Sequence, residues 1–158
     1  MLVALLFAGH LQANLGDTRA EAEAKYGKPA TVEKGRTDKE VKCLYSHGGY
    51  KITVKYLDGK SHFEEYTKED LTNFAFTDDE IQTLLKANCL GLVWNRLRST
   101  EKESMFEKNW ELATPDKTVA AASTKHPYSK LTIATSEYIH YNSGYERIPN
   151  EMAEPVEP

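Results

Sequence analysis

Of the five histidines in this 158-residue chain, His62 is the one whose neighbours could support chemistry. It falls in a strand-like run, Lys60 to Thr67. A two-residue turn at Asp58-Gly59 sets it opposite Lys55, with Glu64 two residues further along the same face. An imidazole between an ammonium and a carboxylate has the composition of a general base, so a small hydrolase or transferase using His62, Lys55 and Glu64 is one reading. A solvated cluster of cross-strand polar side chains is the other. Cys43 lies near His47 and His62 in sequence and raises the question of a thiol nucleophile. Strand alternation sends Cys43 to the face opposite His62, and a reactive thiol needs exposure and a cationic neighbour. Glu64 and Glu65 are adjacent on a strand and point apart, which excludes a facing acid/base pair. Asp78-Asp79-Glu80 opens a predicted helix, where the helix dipole accounts for the negative charge without a metal. The sequence holds no Gly-rich phosphate loop, G-x-S-x-G, H-E-x-x-H or C-x-x-C. It therefore assigns no catalytic residue, no metal ligand and no cofactor.

The elements that would position these residues are legible from turn and cap signals. Thr18-Arg-Ala-Glu21 is a capping box opening a helix to Tyr26, stopped by Gly27-Lys-Pro29. Ala30 to Glu40 reads as a loop. Strands are expected over Val41–Ser46, Tyr50–Leu57 and Lys60–Thr67, with turns at His47-Gly48-Gly49 and Asp58-Gly59. The turn geometry pairs Cys43 with Val54, Tyr45 with Ile52 and Val54 with Phe63. One face then collects Val41, Cys43, Tyr45, Tyr50, Ile52, Val54, Tyr56 and Phe63, and a helix must cover it. The other collects Lys42, Leu44, Lys51, Thr53, Lys55, His62, Glu64 and Tyr66. The covering helix follows: Thr77 and Glu80 form a capping box, Phe76 and Ile81 a hydrophobic staple, and Ile81, Leu84, Leu85, Asn88 and Cys89 one stripe ending near Gly91. Later strands are expected around Val93-Trp94, Trp110–Ala113, Thr118–Thr124 and Lys130–Thr135. A four-residue turn at Pro115 would place Ala121 and Val119 on the face of Trp110 and Leu112. The reading is an α+β fold of two tandem units, each a short helix on an antiparallel meander, over residues 15–70 and 74–141. Residues 142–158 read as a disordered, acidic, Pro-rich tail.

Composition bounds the function. The chain is 40% hydrophobic, 28% charged and 10% aromatic, enough to bury about 70% of the unfolded surface without a staple. Its net charge is −4, of which the tail supplies −3 (four Glu against Arg147), so the body is nearly neutral. A near-neutral body without a basic run argues against a nucleic-acid binder. Residues 1–13 open with Met1-Leu-Val-Ala-Leu-Leu-Phe-Ala, too short to span a membrane but suited to the apolar region of a secretory signal cleaved after Ala13. No Lys or Arg precedes it, so a buried N-terminal segment is the alternative. His10 stands where a lipoprotein signal would require Cys. In an oxidising compartment Cys43 and Cys89 are compatible with one disulfide; two buried free thiols are the alternative.

The run Leu15-Gly16-Asp17-Thr18 to Tyr26-Gly27-Lys28-Pro29, followed by Gly49-Tyr50, Asp58-Gly59-Lys60, Glu80-Ile81, Leu84-Leu85, Asn88, two Trp and Leu131-x-Ile133-x-Thr135, resembles small exported bacterial proteins of unassigned function. The opening element is also similar to the helix start of the SmpA/OmlA outer-membrane lipoprotein domain and of the β-lactamase-inhibitor-protein-like fold. The missing lipobox Cys departs from the lipoprotein pattern. The resemblance implies a role in binding protein partners and brings no catalytic residue. With the composition, it points to an exported, non-catalytic protein binding a cell-envelope protein through the open sheet face: Lys51, Thr53, Lys55, His62, Glu64 and Tyr66.

Overall fold

The computed structural model describes residues 14–97 and 107–146. The expected signal segment 1–13, and the tail beyond residue 146, lie outside the described residues. Helix α1 (Arg19–Tyr26) is capped by Thr18 and α2 (Asp78–Ala87) by Thr77, each with the reciprocal Glu three residues on, as the capping boxes require. Strands β1 (Thr31–Lys34), β2 (Glu40–His47), β3 (Tyr50–Leu57) and β4 (Lys60–Lys68) follow α1. Strands β5 (Trp94–Arg96), β6 (Glu107–Thr114), β7 (Lys117–Lys125) and β8 (Lys130–Thr135) follow α2, and α3 (Ser136–Glu146) closes the described chain. All eight strands form one antiparallel sheet in the order β1-β2-β3-β4-β8-β7-β6-β5. The fold is α+β. The loop expected over Ala30–Glu40 contains the edge strand β1, whose four residues are all exposed and so carry no apolar alternation to reveal it. Within the described residues no helix is long and apolar enough to cross a membrane.

The apolar core lies on one face, beneath α1 and α2. Cys43 faces Val54 and Tyr45 faces Ile52, as the Gly48-Gly49 turn dictates. Tyr26 of α1 packs on Tyr45 at 5.4 Å between ring centroids. Tyr45 and Tyr56 share a buried hydroxyl–hydroxyl bond of 2.9 Å, so neither buried phenol is left unpaired. Ile81, Leu84 and Leu85 of α2 join Trp110, Leu112, Leu131 and Ile133 in the same cluster. The stripe ends before its expected last members: Asn88 is the C-cap of α2, and Cys89 lies beyond the helix. Cys43, buried, and Cys89, half-buried, are free thiols.

Two register shifts decide which side chains enter that core. Beyond the Asp58-Gly59 turn, Leu57 pairs with Lys60 and Tyr56 with Ser61, but Lys55 pairs with Phe63, which makes His62 the extra residue of a β-bulge. Every side chain after it changes face. Val54 is therefore opposite Glu64 and not Phe63; Glu64 and Tyr66 enter the covered face, while Phe63 moves to the other. The bulge has a local cause: the segment before α1 lies on Ser61, with Gly16 N–H donating to its carbonyl (2.7 Å), Ser61 N–H to Asp17 (2.8 Å) and its hydroxyl to Asn14 (3.0 Å). The second hairpin has the same device. Thr114 pairs with Lys117, Ala113 with Thr118, then Leu112 with Ala120, so Val119 is extra. Ala120 and Ala122, not Val119 and Ala121, share the face of Trp110 and Leu112.

On the opposite face lies α3, where the sequence suggested that disorder begins at residue 142. The helix runs to Glu146 because its docking is tertiary. Thr135 Oγ1 accepts from Tyr138 N–H at its start (3.1 Å). Tyr138 donates to Glu40 (3.2 Å) and packs on Phe63 (5.4 Å), Arg36 donates to Asn142 (3.0 Å), and Thr37 meets Tyr141 (2.9 Å). Glu40, buried beside the β1–β2 turn, also accepts from Arg36 N–H (3.1 Å). Gly35 makes room for it, since a Cβ there would stand 2.3 Å from Glu40 Cγ and 2.4 Å from its Cβ. Gly35→Ala is expected to displace Glu40 and cost about 1–3 kcal/mol in denaturant unfolding. A loss within 0.5 kcal/mol, roughly the surface-site range, would show that Glu40 moves freely.

Candidate functional site

The face left open by α1 and α2 divides into a groove and a charged strip. The groove, about 410 Å³, has small side chains of the sheet in its lining, Ala121, Ser123, Thr132 and Ala134, beside Phe63, Glu107 and Asn109, with Ile139, Asn142 and Ser143 of α3 and with Leu97. Ile139 and Leu97 are exposed large hydrophobic residues at its rim. The strip is the open face of β2, β3 and β4. Lys51 is exposed there, and Thr53 and Lys55 are half-buried. Lys55 is held over the rings of Phe63 and Tyr138, 4.6 and 5.6 Å from their centroids. Glu65 and Lys42 on the same face are engaged by Lys130 (3.1 Å) and Glu33 (3.0 Å). Neither Lys51 nor Lys55 pairs with a carboxylate among the described residues.

The structure brings together only part of the expected site. Lys51, Thr53 and Lys55 share the open face, but Glu64 and Tyr66 are 2% and 0% exposed on the other, so neither offers a contact to a partner on the open face. The bulge separates the expected His62–Lys55–Glu64 grouping. His62 Nδ1 instead meets Thr135 Oγ1 at 2.9 Å, with Glu137 at 3.8 Å. Since Thr135 Oγ1 also caps α3, the imidazole is tied to a helix terminus.

Beneath the helices the displaced Glu64 and Tyr66 form a buried polar group. Tyr66 O–H donates to Glu64 Oε2. Asn88 donates to the Tyr66 hydroxyl (3.3 Å) and to the Leu84 carbonyl (3.2 Å), and accepts from Leu15 N–H (3.1 Å). The Tyr26 hydroxyl lies 3.4 Å from that of Tyr66. Burial pushes the Glu64 carboxyl up to about 7, with the Tyr66 hydrogen bond opposing and the charge of Asp17 adding to the rise. Burial likewise raises Tyr66 well above the usual phenol range.

Sequence reasoning missed the groove because the composition after Tyr141 favours a tail and because the bulge at Val119 exchanges Ala121 for Ala120. A signal was present: Ile139, Asn142 and Ser143 stand at i, i+3 and i+4, after Thr135 with its helix-capping hydroxyl.

No protein-family model and no curated protein matches the sequence. Among solved structures, the chain is similar to a cysteine-rich secretory protein from Staphylococcus aureus, with 11% identity and a TM-score of 0.44 over 79% of this chain and 44% of that one. It is also similar to an extracellular protein containing an SCP domain from Bacillus anthracis, with 10% identity and a TM-score of 0.44 over 80% and 45%. The chain spans less than half the length of either.

Proposed function

We propose that this protein is a non-catalytic, exported binding module that takes a polypeptide partner on the open face of its sheet. The observation that carries the reading is the groove beside α3 together with Lys51 and Lys55, two cations on the same face that no described carboxylate engages. A small-residue floor admits close approach of a partner backbone, and ammonium groups without a carboxylate partner among the described residues steer acidic partners and fix their register. The bonding of His62 to a helix cap, with Glu64 on the opposite face, supports binding over an acid/base mechanism. The order of helix and four strands, twice over, supports two tandem units meeting at β4 and β8. The apolar opening residues support export to the cell envelope.

Affinity capture from the native extract tests the reading. The double variant Lys51→Glu, Lys55→Glu is expected to weaken partner retention about tenfold or more, equivalent to ~1.4 kcal/mol. Leu71→Glu, on an exposed connector, is expected to leave it unchanged. Equal retention by all three proteins would overturn the assignment of this face. Loss of a catalytic turnover in His62→Gln would favour the hydrolase or transferase reading.

A further inference from the structure

Glu64 stands where both helices and both halves of the sheet meet, and partner binding on the open face makes no use of it. Its Cα partners are Val54 of β3 and Ile133 of β8. Through the Tyr66 hydroxyl it connects to Tyr26 of α1 and to Asn88 at the end of α2, and Asn88 in turn holds the backbone of Leu15 ahead of α1. The ionisable groups facing it are Asp17 and Lys25 from α1 and its approach, Tyr26 of α1, Tyr56 of β3 and Tyr66 of β4. Lys25 is committed to Asp17 at 2.5 Å. From α2 comes the neutral Asn88, and from β8 the apolar Ile133. We propose that Glu64 is a proton-operated latch: carrying its proton, it fastens α1 and α2 to the junction of the two sheet halves, and losing it loosens that attachment.

The physical reason is the cost of holding a carboxylate out of water when the cation facing it, Lys25, is committed to Asp17. A protonated carboxyl is neutral, so it escapes that cost while still accepting from the Tyr66 hydroxyl. The folded chain holds this proton up to about pH 7, whereas an unfolded chain releases it near the ordinary value of 4.5. The folded state binds more protons between those limits. The contribution is therefore full below 4.5 and is lost as pH rises through about 7. Between pH 4.5 and 8 a shift of that size corresponds to a folding constant about 150-fold larger at the acidic end, where the unfolded chain's carboxyl is itself half protonated.

Denaturant midpoints of the full chain and of Glu64→Gln, measured from pH 4.5 to 8, test this. Glutamine keeps the shape and an acceptor for Tyr66 but cannot ionise. Every other ionisable group is common to the two proteins, so the difference between them is the quantity read. The full chain is expected to lose more stability than the variant as pH rises, leaving the variant the more stable at pH 8. Equal slopes would overturn the proposal. Should the variant fail to fold, carbon-13 NMR of the Glu64 carboxyl in the unaltered protein decides: a midpoint near 7 supports the latch and one near 4.5 overturns it. Hydrogen exchange locates the effect. Protection of α1 amides is expected to fall relative to those of β7 between pH 5 and 8, and parallel changes in both would refute a latch acting on the helices.

Discussion

Replacing Ile133 by Ala is expected to lower the unfolding free energy by about 2–5 kcal/mol, the range for truncating a fully buried aliphatic side chain that its surroundings cannot collapse upon. Ile133 is 0% exposed and lies in β8, paired with Glu64 of β4 on one side and Ala122 of β7 on the other. It thus stands at the seam between the strands that follow α1 and those that follow α2. One apolar cluster runs through that seam, from Tyr45 and Val54 to Leu112 and Trp110. Both tryptophans belong to the second half, so indole fluorescence reports that half while far-UV circular dichroism reports the whole sheet. The two transitions are expected to coincide in the variant as in the parent, because a shared core makes unfolding cooperative. A loss below 0.5 kcal/mol, roughly the surface-site range, would remove Ile133 from the core. Separated transitions would show that the halves unfold independently.

Asn88→Ala should cost roughly 2–4 kcal/mol, although it removes little apolar contact. The carboxamide is 0% exposed and satisfies three groups: the Leu15 N–H, the Leu84 carbonyl and the Tyr66 hydroxyl. Truncation orphans a buried backbone donor and a carbonyl, and each such loss is worth about 1–3 kcal/mol where water cannot enter. A water occupying the vacated space would cut the loss to about 1 kcal/mol or less, and equilibrium denaturation distinguishes these outcomes. Because Asn88 also serves as the C-cap of α2, the variant is expected to speed amide exchange in the last turn of that helix.

Local chemistry settled much of this fold in advance. Both capping boxes, the paired registers of Cys43 with Val54 and Tyr45 with Ile52, and the strand at Lys130–Thr135 follow from signals within a few residues of each element. These are short-range effects: a cap hydroxyl reaches its own helix, and Gly48-Gly49 sets its own hairpin. The open-face positions of Lys51, Thr53 and Lys55 follow from the same β2–β3 hairpin. Tertiary contacts decided the rest. The bulge at His62 is stabilised by backbone bonds from Gly16 and to Asp17, more than forty residues away in sequence, and it sends Glu64 and Tyr66 into the core. Nothing in the alternation of β4 itself distinguishes that outcome from an unbulged hairpin, because either register buries one aromatic residue, Phe63 or Tyr66. The last helix is likewise held by Arg36, Thr37 and Glu40, about a hundred residues earlier in the chain. Its own side chains scatter apolar groups around the axis, so beyond the Thr135 cap it is the surface it docks against that holds the helix and turns the sheet beneath it into a groove.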